Sequence, residues 1–517
     1  MPEFARRLAT EKPTEVALRD ARSTLSWAET SDALDRIANR LLASDLGPHR
    51  RVAVFAENAN ETALAHLGGL LGGASTVPVN FHLTAEEAAY IFTDSECAIV
   101  FVDGSTGDRA IAAVASMAAA GSPLPTIVGW RATAADGIVD WAEWVAQGPV
   151  GDPPLDALPL PNLLYTSGTT GLPKGTELPP SMFAGGVTMA EHIEALKLNR
   201  FAAFGTHLVV GPMYHTGPLS GMRLLVAGKP SVILDRFDAE ATLAAIQLYR
   251  TESAVMVPTH FVRLLALPDE VMQQYDVSSM KLVAHTGSAC PIDVKRAMIE
   301  WWGPIFVDAY GATEVGTTCS ITSQEWLEHP GSVGRPLPPF EVLVVDDDNE
   351  EAASNVEGRL YFRDTTGRGI VYPNDPAKTA SAHIAPGVFT LGEIGYVDDE
   401  GYVFITDRFS DMVVSGGTNV YPAEAEQVLI GHPGVADVGC IGVPHAEMGE
   451  ELKALVIPTD LAAPPDAAEL ITYCRAHLSH YKCPRSVEFV ADLGRNTMGK
   501  INKRALRAHY WAQGSGQ

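Results

Sequence analysis

The sequence predicts an α/β protein: a large N-terminal domain of mostly parallel sheets flanked by helices, with an antiparallel β annex, then a small α+β C-terminal domain. Three observations carry this. Through the first half, β-branched runs alternate with helical stretches at βαβ spacing. After residue 340, short strand-like runs follow one another across turns. Beyond Asp407–Asp411 the pattern restarts as a separate unit of about 100 residues, enough for an independent domain.

In order, Arg51–Ala56 reads as a strand, Glu61–Leu71 as a helix, Ser75–Val79 as a strand, and Ala98–Val102 as a strand ending at Asp103. The alternation returns with strand Ser231–Leu234, helix Ala239–Arg250 and strand Ala254–Val257, closed by Pro258. Glu341–Val345, Gly358–Phe362 and Gly401–Ile405 read as antiparallel strands. The last unit reads as helix Ala423–Gly431, strands Val435–Val443 and Glu451–Ile457, helix Asp466–Leu478 and strand Ser486–Phe489. Asp346–Glu351 is a solvated hairpin turn, without the spaced ligands and glycine of an EF-hand. Pro-rich Gly148–Pro161 and Leu461–Pro465 read as surface loops.

The chain has 517 residues, which predicts two to four domains or one large domain with a satellite. With 46% hydrophobic and 19% charged residues it has the balance of a globular enzyme. A formal net charge of −26 argues against a nucleic-acid partner, which needs a basic field to neutralise phosphates. The six cysteines lie scattered with no CxxC, excluding a disulfide scaffold and suiting a reducing, cytoplasmic setting. The N-terminus lacks the apolar core of a signal peptide. Thr62–Val79, the longest quiet stretch, is broken by glycines and Pro78, so no integral membrane segment is expected.

Chemistry concentrates in Leu163-Leu-Tyr-Thr-Ser-Gly-Thr-Thr-Gly-Leu-Pro-Lys-Gly175. An apolar strand enters Thr166, Ser167, Gly168, Thr169, Thr170 and Gly171, and Lys174 follows. Glycines admit an anion close to the backbone, hydroxyls and amides donate to phosphate oxygens, and lysine adds charge. A plain flexible turn would not need this concentration of donors. Nor is it a Walker A loop, because Pro173 precedes Lys174 and Gly175 follows it. Asp308-Ala-Tyr-Gly-Ala-Thr-Glu314 follows the apolar Ile305–Val307, which places it at a strand's carboxyl end, where open α/β sheets bind ligands. Alone, that segment could equally be an ordinary strand-end loop.

Taken together, these motifs make the chain resemble the adenylate-forming superfamily of acyl-CoA synthetases, peptide-synthetase adenylation domains and firefly luciferases, with the nearest likeness to bacterial fatty-acyl-CoA synthetases. The YTSGTTGLPKG signature is highly specific, and matching motifs run through Lys500. The resemblance implies that Thr166–Lys174 cradles the β/γ-phosphates of ATP. Gly287, Ser288 and Ala289, within His285-Thr-Gly-Ser-Ala-Cys-Pro291, would border adenine and the acyl pocket. Asp308, Ala309, Tyr310 and Gly311 would line the nucleotide site, with Tyr310 packed on adenine. Thr313 would meet the α-phosphate and Glu314 would ligate Mg²⁺. His215, within Pro212-Met-Tyr-His-Thr-Gly217, would line the carboxylate pocket, although a satisfied loop histidine explains it as well. Arg408 would reach the nucleotide, the loop at Gly416 and Gly417 would line the pantetheine tunnel, and Lys500 would drive adenylation. The nearby Arg495, Lys503, Arg504 and Arg507 also allow Lys500 a bland reading as part of a basic tail.

The chain departs from the family pattern at three places. Leu391-Gly392-Glu393 replaces the usual Thr-Gly-Asp, keeping a carboxylate for two ribose hydroxyls on a stem one methylene longer. The hinge position is Ser410, and Gly494 stands where proline is usual. The resemblance divides the chain into residues 1–409 and a mobile domain of residues 410–517. It implies ATP, Mg²⁺ and coenzyme A acting on a small-molecule carboxylate: a medium or long fatty acid first, a steroid-side-chain or bile-acid-like acid next, an aryl acid third. A homodimer is left open. The rivals are an amide-forming or carrier-loading adenylase, luciferase-type oxidation, for which the sequence gives no specific signal, and a non-catalytic nucleotide-binding protein, suggested by Glu393 and Ser410.

Overall fold

The computed structural model describes residues 3–132, 137–166, 174–183, 185–346, 350–372, 376–408, 411–415, 418–445, 448–478, 480–496 and 499–514. The first sheet is all parallel. It comprises β1 (Arg51–Phe55), β2 (Ser75–Pro78), β3 (Ile99–Asp103), β4 (Thr126–Trp130) and β5 (Ile138–Asp140), in the order β2-β1-β3-β4-β5. Helix α1 (Asn60–Leu71) crosses from β1 to β2 and is buried at every residue but Glu61. A helix apolar on all sides belongs between layers. The quiet stretch Thr62–Val79 is therefore a core helix followed by strand β2, and among the described residues no helix is long and apolar enough to cross a membrane.

The hairpin β6 (Leu163–Thr166) and β7 (Lys174–Glu177) packs beside β2 of the first sheet, and its base is closed by Leu178 N–H donating to the Asn162 carbonyl at 3.0 Å. The second sheet carries β8 (His207–Val209), β9 (Ser231–Ile233), β10 (Ser253–Met256), β11 (Leu282–His285) and β12 (Phe306–Ala312), in the parallel order β9-β8-β10-β11-β12. Helices α2 (Thr216–Met222), α3 (Ala239–Tyr249), α4 (Pro258–Leu265) and α5 (Ile292–Trp302) lie between its strands in sequence.

The annex is no separate layer. Strand β13 (Gly316–Thr322) turns back antiparallel on β12, and β14 (Ser332–Pro336) continues the sheet. Strands β15 (Phe340–Val345), β16 (Gly358–Asp364), β17 (Glu393–Val397) and β18 (Val403–Arg408) extend it antiparallel. Strands β15 and β16 pair as antiparallel neighbours, and the acidic run between them, read as a solvated hairpin turn, lies partly outside the described residues, at 347–349. A distinct five-stranded sheet forms the small C-terminal domain, from β19 (Val413–Ser415), β20 (Thr418–Val420), β21 (Val435–His445), β22 (Gly449–Pro458) and β23 (Ser486–Phe489). Helices α6 (Pro422–Leu429) and α7 (Ala467–His477) pack on it around Leu429, Leu470 and Cys474. The chain ends in α8 (Lys503–Gly514).

Burial fixes the charge state of many histidines. His66, His192, His207, His215, His260 and His285 are each pushed down to about 3 or 4, chiefly by burial. They fold neutral, whereas the unfolded chain protonates them near pH 6.5. Stability is therefore retained above pH 6.5 and lost as pH falls from about 6.5 towards 4. Urea midpoints should drop between pH 7 and 5, with several protons taken up on unfolding. Flat midpoints across that range would contradict it.

Candidate active site

The segment expected at the end of a strand lies largely within one. Strand β12 runs on to Ala312, so Asp308, Ala309, Tyr310 and Gly311 are ladder residues, and only Thr313 and Glu314 occupy the turn. The strand continues because β13 pairs back on it, with an irregularity at Tyr310/Gly311. Gly311 is required there: a Cβ would come within 1.9 Å of the Gly316 carbonyl. On β11, His285 pairs with Asp308, and beyond it the Thr286 hydroxyl donates to the Ala309 carbonyl at 2.6 Å, tying the two strand ends together. Gly287 takes φ +96°, which favours glycine, and Ser288 and Ala289 follow, half-buried and exposed.

Two tyrosines organise the carboxylates. The Tyr310 hydroxyl donates to Glu393 Oε2 at 2.9 Å, so the longer acidic side chain reaches the strand of the expected adenine platform. Glu393 is buried and lies opposite Arg408 in the β17–β18 ladder. The Tyr372 hydroxyl donates to Glu314 Oε1 at 3.3 Å. Among the described residues no three His, Cys, Asp or Glu side chains converge as a metal-ligand set.

Beneath this platform sits a buried ion pair. Lys295 on α5 is 1% exposed, with its ammonium 3.3 Å from Asp308 Oδ2 and 4.8 Å above the Trp326 ring. Burial draws the lysine below its ordinary pKa, and Asp308 opposes that pull. His285 Nδ1 lies 3.6 Å from the other Asp308 oxygen. Burial raises the Cys290 thiol to about 12, so it stays protonated.

On the opposite wall, His215 caps α2 and is held neutral by burial and by the charge of Lys500. The loop before it is clamped by Asn58, whose side-chain amide donates to the carbonyls of Gly211 at 2.9 Å and Leu234 at 3.0 Å. Asn58 Oδ1 accepts from Met213 N–H at 2.8 Å. Asn58→Ala would leave three buried backbone groups unpaired and loosen the loop that sets His215. Acid-dependent ATP–pyrophosphate exchange should lose about 10- to 100-fold in kcat/KM for the acid, with a smaller change for ATP. Equal loss for both substrates would make Asn58 a general stability residue.

Among the described residues, the small domain brings the Gly499–Lys500 turn against the large domain. Arg495 is fixed by Asp437 at 2.6 and 2.7 Å and donates to the Gly499 carbonyl at 2.5 Å. Lys500 N–H donates to Asn496 Oδ1 at 2.9 Å, closing the turn. Gly499, at φ +75°, lies so close to α4 that a Cβ would come within 2.2 Å of Thr259 Oγ1. Lys500 is thereby delivered to the His215 side of the large domain. Of the phosphate loop, Thr166 and Lys174 face each other across the hairpin end, and Ser167, Gly168, Thr169, Thr170 and Gly171 lie outside the described residues. Gly416, Gly417 and Ser410 also lie outside them.

Sequence reasoning did not single out Asn58, Lys295, Tyr372 or Thr259. Each belongs to a type common in ordinary helices and loops, and Asn58, Tyr372 and Thr259 act across long sequence separations. Buried Lys295 left one trace, a lysine among apolar residues of a helix pattern.

Known proteins match the chain along most of its length. The family described as "AMP-binding enzyme" matches residues 5–369, and "AMP-binding enzyme C-terminal domain" matches residues 424–500. The chain is 32% identical to a fatty acid–[acyl-carrier-protein] ligase of Streptomyces coeruleorubidus, over 97% of this chain and 95% of that one. It is 31% identical to a feruloyl-CoA synthase of Amycolatopsis sp., covering 98% of each. Among solved structures, ATP-bound MatB from Rhodopseudomonas palustris superposes with a TM-score of 0.79 at 30% identity, covering 98% of each chain.

Proposed function

Because the chain belongs to the AMP-binding enzyme family, matched over residues 5–369, we propose that it is an ATP-dependent acid–CoA ligase that joins a carboxylic acid to coenzyme A through an acyl-adenylate. The observation that carries this reading is the seating of the Lys500 loop against Thr259 and His215. A carboxylate cannot expel oxide, so its oxygen first attacks the α-phosphorus of ATP, forming the mixed anhydride and releasing pyrophosphate. Catalysis is then positioning and charge stabilisation. Lys500 draws the two anions together, neutral His215 lines the carboxylate's approach without adding competing charge, and Thr313 reaches the α-phosphate. Tyr310 stacks adenine, with Glu393 and Arg408 at the sugar. The Thr166–Lys174 loop, with Ser167, Gly168, Thr169, Thr170 and Gly171, takes the leaving pyrophosphate.

Glu314 is a fitting ligand for Mg²⁺, which commonly uses one or two carboxylates together with substrate phosphates and waters. The ion supplies charge neutralisation across the phosphates, and Tyr372 orients Glu314 from the side. In the second half-reaction the sulfur of coenzyme A attacks the acyl carbon and AMP leaves. For this step residues 410–517 turn relative to residues 1–409 about Ser410, which withdraws Lys500 and brings in Gly416 and Gly417. No protein nucleophile is needed, which suits six free cysteines, five of them buried. Free thiols also fit a cytoplasmic setting.

The acid is apolar: a medium or long fatty acid, or a steroid- or bile-acid-like carboxylate. Relatives named for fatty-acid and feruloyl substrates support an apolar pocket without narrowing it. A carrier-loading activity is the second reading, favoured by the carrier-protein ligase among those relatives. Pyrophosphate and AMP release with Mg-ATP across fatty, steroidal and aromatic acids, with and without coenzyme A, tests both. Thiol-dependent turnover supports the ligase. Pyrophosphate release indifferent to coenzyme A but stimulated by a carrier protein would replace it.

A further inference from the structure

Arg223, just past the end of α2, is a cation in the interior of the large domain. It is 3% exposed, and among the described residues no carboxylate pairs with it. Burial draws the guanidinium down only to about 10, so it is charged at neutral pH. The histidines nearest to it, His66 and His192, are neutral, held down by burial and by the charge of Arg223 itself. The end of α2 offers at most about half an opposing charge. A buried ion left in that state is costly.

The guanidinium is also short of acceptors. Nη1 donates to the Met182 carbonyl at 3.2 Å and Nη2 to Asn162 Oδ1, while Cζ lies 5.1 Å from the centre of the Phe183 ring. Those two bonds leave three of its five N–H groups without an acceptor among the described residues. Arg223, His66, Thr76 and Asn162 line one small interior cavity, closed on other sides by Leu67 and Leu219. Its free interior is about 10 Å³, room for a single water-sized body.

The polar groups around this space are one-sided. Asn162 Nδ2 donates to the Thr76 hydroxyl oxygen, and His66 Nδ1 lies 3.0 Å from the same oxygen. With no other acceptor in reach, the Thr76 hydroxyl donates to Nδ1, which leaves the imidazole proton on Nε2. Asn162 Oδ1 is already taken by Arg223. What remains is a set of donors: three guanidinium N–H groups and His66 Nε2–H. A water there would find no acceptor for its own protons, whereas an anion needs donors alone.

We propose that this cavity is an anion site that holds one chloride ion as the counter-charge of Arg223. Polyatomic anions are too large for it. The site joins three parts of the fold: Thr76 lies on β2, Asn162 opens the β6–β7 hairpin, and Arg223 ends the helix capped by His215. A halide is thus a structural ligand of the large domain, whatever acid the enzyme activates.

Crystals of the full chain in sodium bromide should show an anomalous-scattering peak in the cavity, beside Arg223 and His66. In thermal melts, exchanging chloride for gluconate at constant ionic strength should lower the midpoint by about 2–4 °C, because gluconate cannot enter. Arg223→Met removes the charge at similar length and should melt at one temperature in both salts. Water in place of bromide, or a chloride shift that Arg223→Met retains, would overturn the site. The bromide measurement uses the unsubstituted protein, so it decides the question if the methionine variant fails to fold. Neither measurement involves a substrate, so both stand apart from the ligase reading.

Discussion

Replacing Lys500 by alanine is expected to lower acid-dependent pyrophosphate release by about 10²- to 10³-fold, the usual scale for removing one preorganised charge or donor at a developing anion. Thioester formation from supplied acyl-adenylate should stay within a few-fold of the unsubstituted protein. The asymmetry follows from where Lys500 sits. Its loop is locked to the small sheet by Arg495 and Asp437, and Gly499 carries it onto Thr259. On the proposed reaction, the side chain therefore belongs to the geometry of the first half-reaction. Because the turn is closed by Asn496 and the Arg495–Gly499 bond, the substitution removes a charge without undoing the loop. Single-turnover assays of each half-reaction make the comparison. Equal loss in both would mean that Lys500 stays in place through the whole cycle.

Asp308→Ala should be the most destabilising of the single substitutions considered, by about 3–5 kcal/mol, because it strands the Lys295 ammonium in the interior without its counter-charge. Lys295 is 1% exposed and its Asp308 partner 14%, so water cannot replace the lost carboxylate. The remedy is specific. Combining Asp308→Leu with Lys295→Met should recover most of the stability, since well-packed apolar replacements of a buried pair are commonly neutral or better. Urea unfolding of the single and double variants decides it. A single variant within 1 kcal/mol of the parent would mean that Lys295 finds another escape. The double variant should still bind nucleotide poorly if the proposed site is right, because Asp308 lies on the strand proposed to hold the nucleotide as well as in the ion pair.

The βαβ strands were readable because a parallel strand buried on both faces is an unbroken apolar run, as in Arg51–Phe55 and Ile99–Asp103. The apolar strand into Thr166 was readable from its residue types, but its return strand Lys174–Glu177 was not, because a polar, glycine-containing run shows no strand pattern of its own. The strand around Asp308 was read too short because its pairing partner, β13, comes after it. Polarity at Asp308, Tyr310 and Thr313 looks like a loop until the antiparallel return of Gly316–Thr322 supplies the missing ladder. The clamp by Asn58 and the bonds Tyr310–Glu393 and Tyr372–Glu314 were invisible for a different reason. They join residues far apart in sequence, and neither partner is unusual alone. The glutamate at 393 read as a departure from the family pattern, and its bond to Tyr310 gives the longer stem a place to reach.

The nucleotide strand β12 and the last strand of the large domain, β18, belong to one continuous sheet, and only four residues separate Arg408 from Val413, where the small sheet begins. A connection that short spans no more than about 17 Å fully stretched. The small domain is thus on a tether anchored in the same sheet as β12. It can pivot, but it cannot drift away and redock. If the small domain turns as proposed, so short a leash confines it to one berth, where the face that Lys500 leaves is the face the next arrival takes.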